Sequence, residues 1–420
     1  MIRRIQALNY RCLRWIDQPM AGFQVLVGPN ASGKSTFLDV IAFLGDLVSI
    51  GLDEAITKRS QTFQDLVWGR QGDGFELAAE FSIPEKLQEK ISQDYCFIRY
   101  EISLKYNELS NETLISEEKV LLKKQNRIIT PRQIDLFPMD IEPQPTLITK
   151  KSTPNTKIVV TKTARGNDNY YTEIGLRKGK GGWKPSFRLG PHKSALSNLP
   201  EDERKLPAST WLKNLLEKGI QPFVLNSSVI RKPSPPDQGK KLKPDGSNLP
   251  WVVNNLQVHH AEKFKEWTDH LRTALPDLSN IRTQESEWDR HRYLLVDYDN
   301  GLSIPSWMVS DGTLRLLCLT IPAYIPDFEG IYLIEEPENG IHPKAVEIAF
   351  QSLSSVYGAQ MLLATHSPVI LNCAEPEQVL CFSKNDRGAT DTILGSEHPN
   401  LREWQRETPL GTLLAGGVLG

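Results

Sequence analysis

The chain has 420 residues, of which 24% are charged and 39% hydrophobic, with a formal net charge of −2. That length supports a full core, read as two lobes, and the near-neutral balance leaves any nucleic-acid affinity to a local patch. Five cysteines (Cys12, Cys96, Cys318, Cys373, Cys381) without a C-x-x-C pair argue against a disulfide framework or zinc knuckle and point to a reducing, cytoplasmic setting, and no apolar run approaches membrane-spanning length.

From Met1 the chain runs into a strand pattern with no leader-peptide signature; residues 2–10 and 23–27 read as strands joined by a short turn. Arg11 sits in that turn, placed either to touch a ligand or to lie on the surface. Behind the second strand stands Gly28-Pro29-Asn30-Ala31-Ser32-Gly33-Lys34-Ser35-Thr36, which fits the phosphate-binding pattern G-x-x-x-x-G-K-[ST]. Its glycines permit backbone angles that turn N–H groups inward, and the positive end of the following helix assists them. The expected nucleotide contacts are Gly28, Asn30, Gly33, Lys34, Ser35 and Thr36, with Lys34 a charge on the β/γ-phosphates and the Ser35 hydroxyl a ligand for Mg²⁺. The helix is expected to end near Gly51.

Residues 75–83 and 95–106 read as strands of an antiparallel lobe. Residues 108–208 are broken by prolines, which predicts short strands and loops. Between Lys150 and Lys193 eleven Lys and Arg face two acids, a local charge of +9, with Tyr170, Tyr171, Trp183 and Phe187 interleaved. That composition suits a nucleic-acid backbone and unpaired bases, and equally a solvated lysine-rich surface. A short helix is expected over 209–218 with Ser209 or Thr210 as its cap, then a strand over 221–230, a loop to Pro250 and helix to Leu275. His259 and His260 lack partners at metal spacing.

After a strand at 293–298 and an Asp299-Asn300-Gly301 turn, Ser310-Asp311-Gly312-Thr313 opens an apolar helix, with Ser310 the N-cap candidate. Ile331-Tyr332-Leu333-Ile334 is a buried-strand run ending in Glu335-Glu336-Pro337-Glu338. Carboxylates at the carboxyl end of such a strand lie where open α/β sheets bind ligands, and neighbours on a strand face opposite ways, so the pair divides its tasks. Glu335 is expected to hold Mg²⁺ and Glu336 to orient or deprotonate an attacking water. A last apolar strand, 360–364, ends in Thr365-His366-Ser367-Pro368, which places His366 to sense a γ-phosphate.

Together GPNASGKST, SDGT, LIEEPENGIHP and ATHSP resemble the ABC-type ATPase head of SMC proteins, RecF and above all the OLD (overcoming lysogenization defect) family. The resemblance covers about residues 1–50 and 245–375. It implies an α/β fold, an ABC/SMC-type P-loop head with a mixed β-sheet core, an antiparallel β lobe and an inserted α+β region. The expected division is 1–84 and 246–380 for the head, 85–245 for the inserted lobe and 381–420 for a tail. The resemblance also implies ATP and Mg²⁺ as cofactors, Lys34, Glu336 and His366 as catalytic residues, and Ser35 and Glu335 at the metal. Ser310 and Gly312 would meet the γ-phosphate of a partner head, making a dimer of heads the minimal unit. Departures are the absence of Leu-Ser-Gly-Gly-Gln, Glu335 in place of the commoner Asp, and no assignable lid glutamine beyond Gln221.

The residues after His366 carry no Glu with an Asp-x-Asp cluster, so a TOPRIM nuclease domain of the OLD kind is not expected and a separate effector protein is. The leading expectation is a dimeric ATPase switch that senses DNA, through Lys150 to Lys193, or a foreign component, in prokaryotic defence. Alternatives are a RecF-like repair ATPase and a nucleotide-bound scaffold. A GTPase is disfavoured because Ser383-Lys384-Asn385-Asp386 does not read Asn-Lys-x-Asp. The apolar run from Leu410 to Leu419 is a candidate constitutive interface.

Overall fold

The computed structural model describes residues 1–91, 94–125, 136–174, 184–401 and 408–418. The chain opens on β1 (Ile2–Tyr10), β2 (Leu13–Pro19), β3 (Phe23–Val27), α1 (Lys34–Ser49) and α2 (Leu52–Thr57). Next come β4 (Gly74–Ser82), α3 (Glu85–Ile91), β5 (Tyr95–Asn107), β6 (Glu112–Lys124), β7 (Thr156–Thr163), β8 (Asp168–Tyr170), β9 (Ser186–Phe187) and α4 (Pro207–Asn214). The second half runs β10 (Ile220–Phe223), α5 (Ser227–Ile230), α6 (Leu249–His259), α7 (Ala261–Ala274), β11 (Leu278–Glu285), β12 (Arg292–Tyr298), β13 (Ser303–Pro305) and α8 (Asp311–Thr320). It closes with β14 (Gly330–Glu335), α9 (Pro343–Ser354), β15 (Ala359–Ala364), α10 (Pro368–Cys373), β16 (Val379–Lys384), β17 (Thr390–Leu394) and α11 (Leu410–Ala415).

Two sheets sandwich α1. The central sheet has the order β10-β14-β15-β3-β16-β17, parallel except for β17, and so is mixed as expected. The second sheet, β2-β1-β4-β5-β6-β7-β8-β9, is wholly antiparallel. α1 buries Phe37, Leu38, Val40, Ile41, Phe43, Leu44, Leu47 and Val48 in one core with Tyr10, Phe75 and Tyr100 of the antiparallel sheet and Leu26, Leu333 and Leu362 of the central one. A helix apolar on most of its circumference is stable only when covered on both sides, which this position provides. On the other face of the central sheet, α6 to α9 pack over Tyr332, Ile334 and Leu363.

Several expectations require correction. The segment between β1 and β3 is not only a turn: it contains β2, which pairs with β1. The region 108–208 holds the 13-residue β6, hidden in the sequence by its run Glu117-Glu118-Lys119. Glu118 is fully buried, and its carboxylate accepts hydrogen bonds from Tyr100 Oη at 2.9 Å, Ser194 Oγ at 2.6 Å, Ala195 N at 2.7 Å and Leu196 N at 3.0 Å. β4 and β5 pair with each other, so the sheet crosses the expected boundary at 84/85. The strand expected over 221–230 is the short β10 followed by α5. α4 begins at Pro207, and its N-terminus is capped from afar by Glu173, which accepts from Ala208 N, Ser209 N and Ser209 Oγ.

The described residues of the expected tail, 381–401 and 408–418, pack into the fold instead of trailing from it. β16 lies beside β3, and β17 completes the sheet edge. Leu410 is buried, Gly411 packs on Pro368 and Asn372, and Leu413 and Leu414 join an internal cluster, so residues 410–414 of that run cover the chain's own core. The basic stretch is partly consumed as well. Lys162 is buried against Asp168 at 2.9 Å, and Tyr170 is buried and stacked on Phe187. Arg177, Lys178, Lys180 and Trp183 fall outside the described residues.

Replacing Glu118 by Ala leaves four buried donors unanswered, each costing about 1–3 kcal/mol. Urea unfolding of Glu118→Ala is expected to show a loss of at least about 3 kcal/mol, and an unchanged midpoint would remove Glu118 from the framework of the lobe.

Candidate functional site

β3 delivers its chain at the carboxyl end of the central sheet, and 28–33 turns back into the first turn of α1. Gly28 has φ 150°, and a Cβ there would stand 2.2 Å from the Phe382 carbonyl oxygen of β16. Gly33 has φ 107°, and its Cβ would stand 2.4 Å from Thr390 Oγ1 of β17. These two glycines are required by both angle and space. Thr390 Oγ1 also donates to the Ser32 carbonyl at 2.8 Å, and Thr390 N to the Cys12 carbonyl at 3.0 Å, so the C-terminal hairpin braces the loop.

A cleft of about 510 Å³ gathers Asn30, Gly33, Lys34, Ser35 and Thr36 with Glu335, Glu336 and His366. Lys34 Nζ donates to the carbonyls of Gly28 at 2.9 Å and Pro29 at 3.0 Å. Burial pushes its ammonium down to about 8, against the pull of Glu336 and Glu335. Ser35 Oγ donates to Glu335 Oε2 at 2.5 Å. A hydroxyl and a carboxylate meeting in this way are two hard oxygen donors, which fits an Mg²⁺ that takes its other ligands from phosphate and water. Among the described residues no group of three or more His, Cys, Asp or Glu could hold a metal unaided.

Glu336 adopts φ 47°, an uncommon angle for a residue with a side chain, fixed where its N–H donates to Ala364 O at 2.8 Å and Asn339 Nδ2 bonds its carboxylate. The angle turns the chain sharply after β14 and sets Glu336 in the same cleft as Glu335 rather than on the opposite face. The sequence reading missed Glu338. Its Oε1 accepts from Thr365 Oγ1 at 2.6 Å and His366 N at 3.1 Å, tying the acidic turn to the histidine turn. The signal was present as a third acid in Glu335-Glu336-Pro337-Glu338.

Ser310 and Gly312 do not line this cleft. Ser310 Oγ caps α8 by accepting from Thr313 N at 3.2 Å. Gly312 packs against the turn after β14: a Cβ there would stand 2.8 Å from Gly340 O. Arg11 does reach the cleft, held by Asp39 at 3.2 Å. Gln221 lies within β10, paired with Tyr332, away from the strand end.

A family described as "AAA domain, putative AbiEii toxin, Type IV TA system" matches residues 23–372. The chain belongs to this AAA-domain family. Among curated relatives, the OLD nuclease of Thermus scotoductus is 46% identical over 48 residues, 11% of this chain and 9% of that protein. The retron Vc95 probable ATPase of Vibrio cholerae is 24% identical over 200 residues, 42% of this chain and 38% of that one. The chain therefore spans less than half the length of either. Two solved Smc heads share the fold. One, bound to the C-winged helix domain of ScpA, aligns with TM-score 0.50 and 13% identity over 93% of this chain and 96% of that one. The other, from Pyrococcus furiosus, carries an extended coiled coil and the C-terminal domain of ScpA, with TM-score 0.50 and 12% identity over 93% and 95%. The AAA-family chain thus has an ABC/SMC-type P-loop ATPase head fold. Among the described residues no helix is long and apolar enough to cross a membrane.

Because Lys34 loses its proton near pH 8 without ligand, phosphate binding takes a proton up above that pH. Nucleotide affinity is expected to be flat below about pH 8 and to fall up to about tenfold per unit above it, until the higher pKa of the bound form is reached. Titration calorimetry from pH 7 to 9.5 reads this directly. Constant affinity across that range would contradict it, and Lys34→Arg should abolish the slope.

Proposed function

We propose that this AAA-family chain is an ATP-binding and ATP-hydrolysing switch that works as a dimer of heads and controls a separate effector in prokaryotic defence. The observation that carries the hydrolytic part is the convergence of Lys34, Ser35, Glu335, Glu336 and His366 on one cleft. The defence setting is supported by the sequence kinship to an OLD nuclease and a retron probable ATPase.

The chemistry follows from the residues. The amides of 28–36 and the Lys34 ammonium bind the β- and γ-phosphates. Glu336 accepts the proton of a water as its oxygen attacks the γ-phosphorus, and the bond from that phosphorus to the β–γ bridging oxygen breaks, leaving ADP and phosphate. His366, set by the Glu338 contact to its backbone, donates a hydrogen bond to a γ-phosphate oxygen. Mg²⁺, held by Ser35 and Glu335, would supply charge neutralisation at the β- and γ-oxygens. The N-terminus of α8 carries free N–H groups and partial positive charge outside this cleft, and the partner's nucleotide is the anion that would satisfy them.

Glu336→Gln is expected to retain ATP while hydrolysis falls roughly 10²–10⁴-fold, since the amide cannot take the proton; turnover at the parental rate would reject Glu336 as the base. In that background, probes beside Lys34 of one subunit and Ser310 of the other should approach on ATP addition. Ser310→Arg should prevent the approach with ATP still bound. A distance that stays long in ATP-loaded Glu336→Gln would leave Ser310-Asp311-Gly312-Thr313 as a helix cap alone.

A further inference from the structure

We propose that Lys384 is a nucleotide-binding residue that pairs with the α-phosphate, on the side of the P-loop opposite the acidic pair. The inference rests on the cleft being a nucleotide site.

The strand order decides the sides. β3 lies between β15 and β16 in the central sheet. Glu335 and Glu336, at the end of β14, and His366, after β15, therefore stand on one flank of the loop that follows β3. β16 and β17 form the other flank, joined by the β1–β2 turn through the bond from Thr390 N to Cys12 O. A nucleoside triphosphate is a linear chain of groups. With its γ-phosphate toward the acids and its β-phosphate on the loop amides, its α-phosphate and nucleoside leave over the opposite flank. The residues lining the cleft there are Arg11, Cys12 and Lys384.

Their side chains are not equivalent. Arg11 is already engaged: its guanidinium pairs with Asp39 at 3.2 Å, donates to the Arg59 carbonyl at 3.4 Å and lies 5.8 Å from the centre of the Tyr10 ring. Arg387, on the same hairpin turn as Lys384, is drawn away to Asp140 at 3.0 Å. Lys384 is exposed at the end of β16 and has no ion pair with any described carboxylate. Its position is nonetheless fixed, because its backbone pairs with Thr390, the residue that braces the loop. A free ammonium on a rigid strand end beside a phosphate loop has the chemistry to meet a phosphate oxygen.

Equilibrium binding of ADP and of ATP to parent, Lys384→Ala and Lys384→Arg tests this. The side chain is exposed, so the fold is not at stake. Lys384→Ala is expected to weaken ADP and ATP by the same factor, roughly tenfold, and Lys384→Arg to restore most of it. No loss, or a loss for ATP with ADP unaffected, would overturn the assignment; the second result would put Lys384 on the γ side. Alkylation of Cys12 by iodoacetamide, read by peptide mass, gives an independent check. Saturating ADP should slow it at Cys12 and leave Cys373 unchanged, and an unprotected Cys12 under bound ADP would place the nucleoside elsewhere. If the parent binds neither nucleotide, the ATPase reading itself fails, which is a different result from any of these.

Discussion

The contact of the P-loop with the β16–β17 hairpin is the constraint on which the site depends. Gly28 and Gly33 leave no room for a side chain between the loop and the backbone of Phe382 or the side chain of Thr390. The loop is thereby held against the hairpin, with one hydrogen bond from Thr390 locking Ser32. Below it, α1 is held between two sheets by a continuous apolar surface, so the first turn bearing Lys34 and Ser35 cannot tilt without opening that core. Rigid walls on both sides are what allow a short loop to hold charge-bearing groups at useful distances.

The same economy governs the acidic flank. The left-handed Glu336 reverses the chain at the end of β14, and Glu338 then ties the turn to Thr365 and His366. These bonds tie the two turns together, so in the proposed mechanism a change at His366 would reach the carboxylates without a long relay. Gly312 is packed on the same acidic loop through Gly340. α8, whose N-terminus is proposed to face the partner, is thus in van der Waals contact with the loop that carries the proposed base. Closure of a second head onto α8 would press on the catalytic turn directly.

The antiparallel lobe extends this connection outward. Its β1 and β4 share the α1 core, and buried carboxylates, Glu118 and Glu173, knit its irregular returns to the framework by answering two backbone donors each, besides side-chain hydroxyls. A carboxylate with three or four donors is an effective tie where hydrogen-bonded strand ladders are interrupted.

What the amino-acid sequence determined by itself was local. The phosphate loop, the strand ending in Glu335 and Glu336, the cap at Ser310 and the turn bearing His366 each follow from short-range chemistry: glycine angles, apolar runs ending in acids, a hydroxyl at a helix start. Such features were legible because neighbours in sequence create them. Tertiary structure decided which segments complete the site. Nothing local shows that Thr390 braces Ser32, that β16 lies beside β3, or that Lys384 borders the cleft, because those contacts join residues more than 300 positions apart. β6 escaped for a related reason: Glu118 resembles a solvent-facing acid until the donors from Tyr100 and 194–196 are brought to it. A charged residue marks a surface only when no distant partner satisfies it, and the location of partners is a property of the fold.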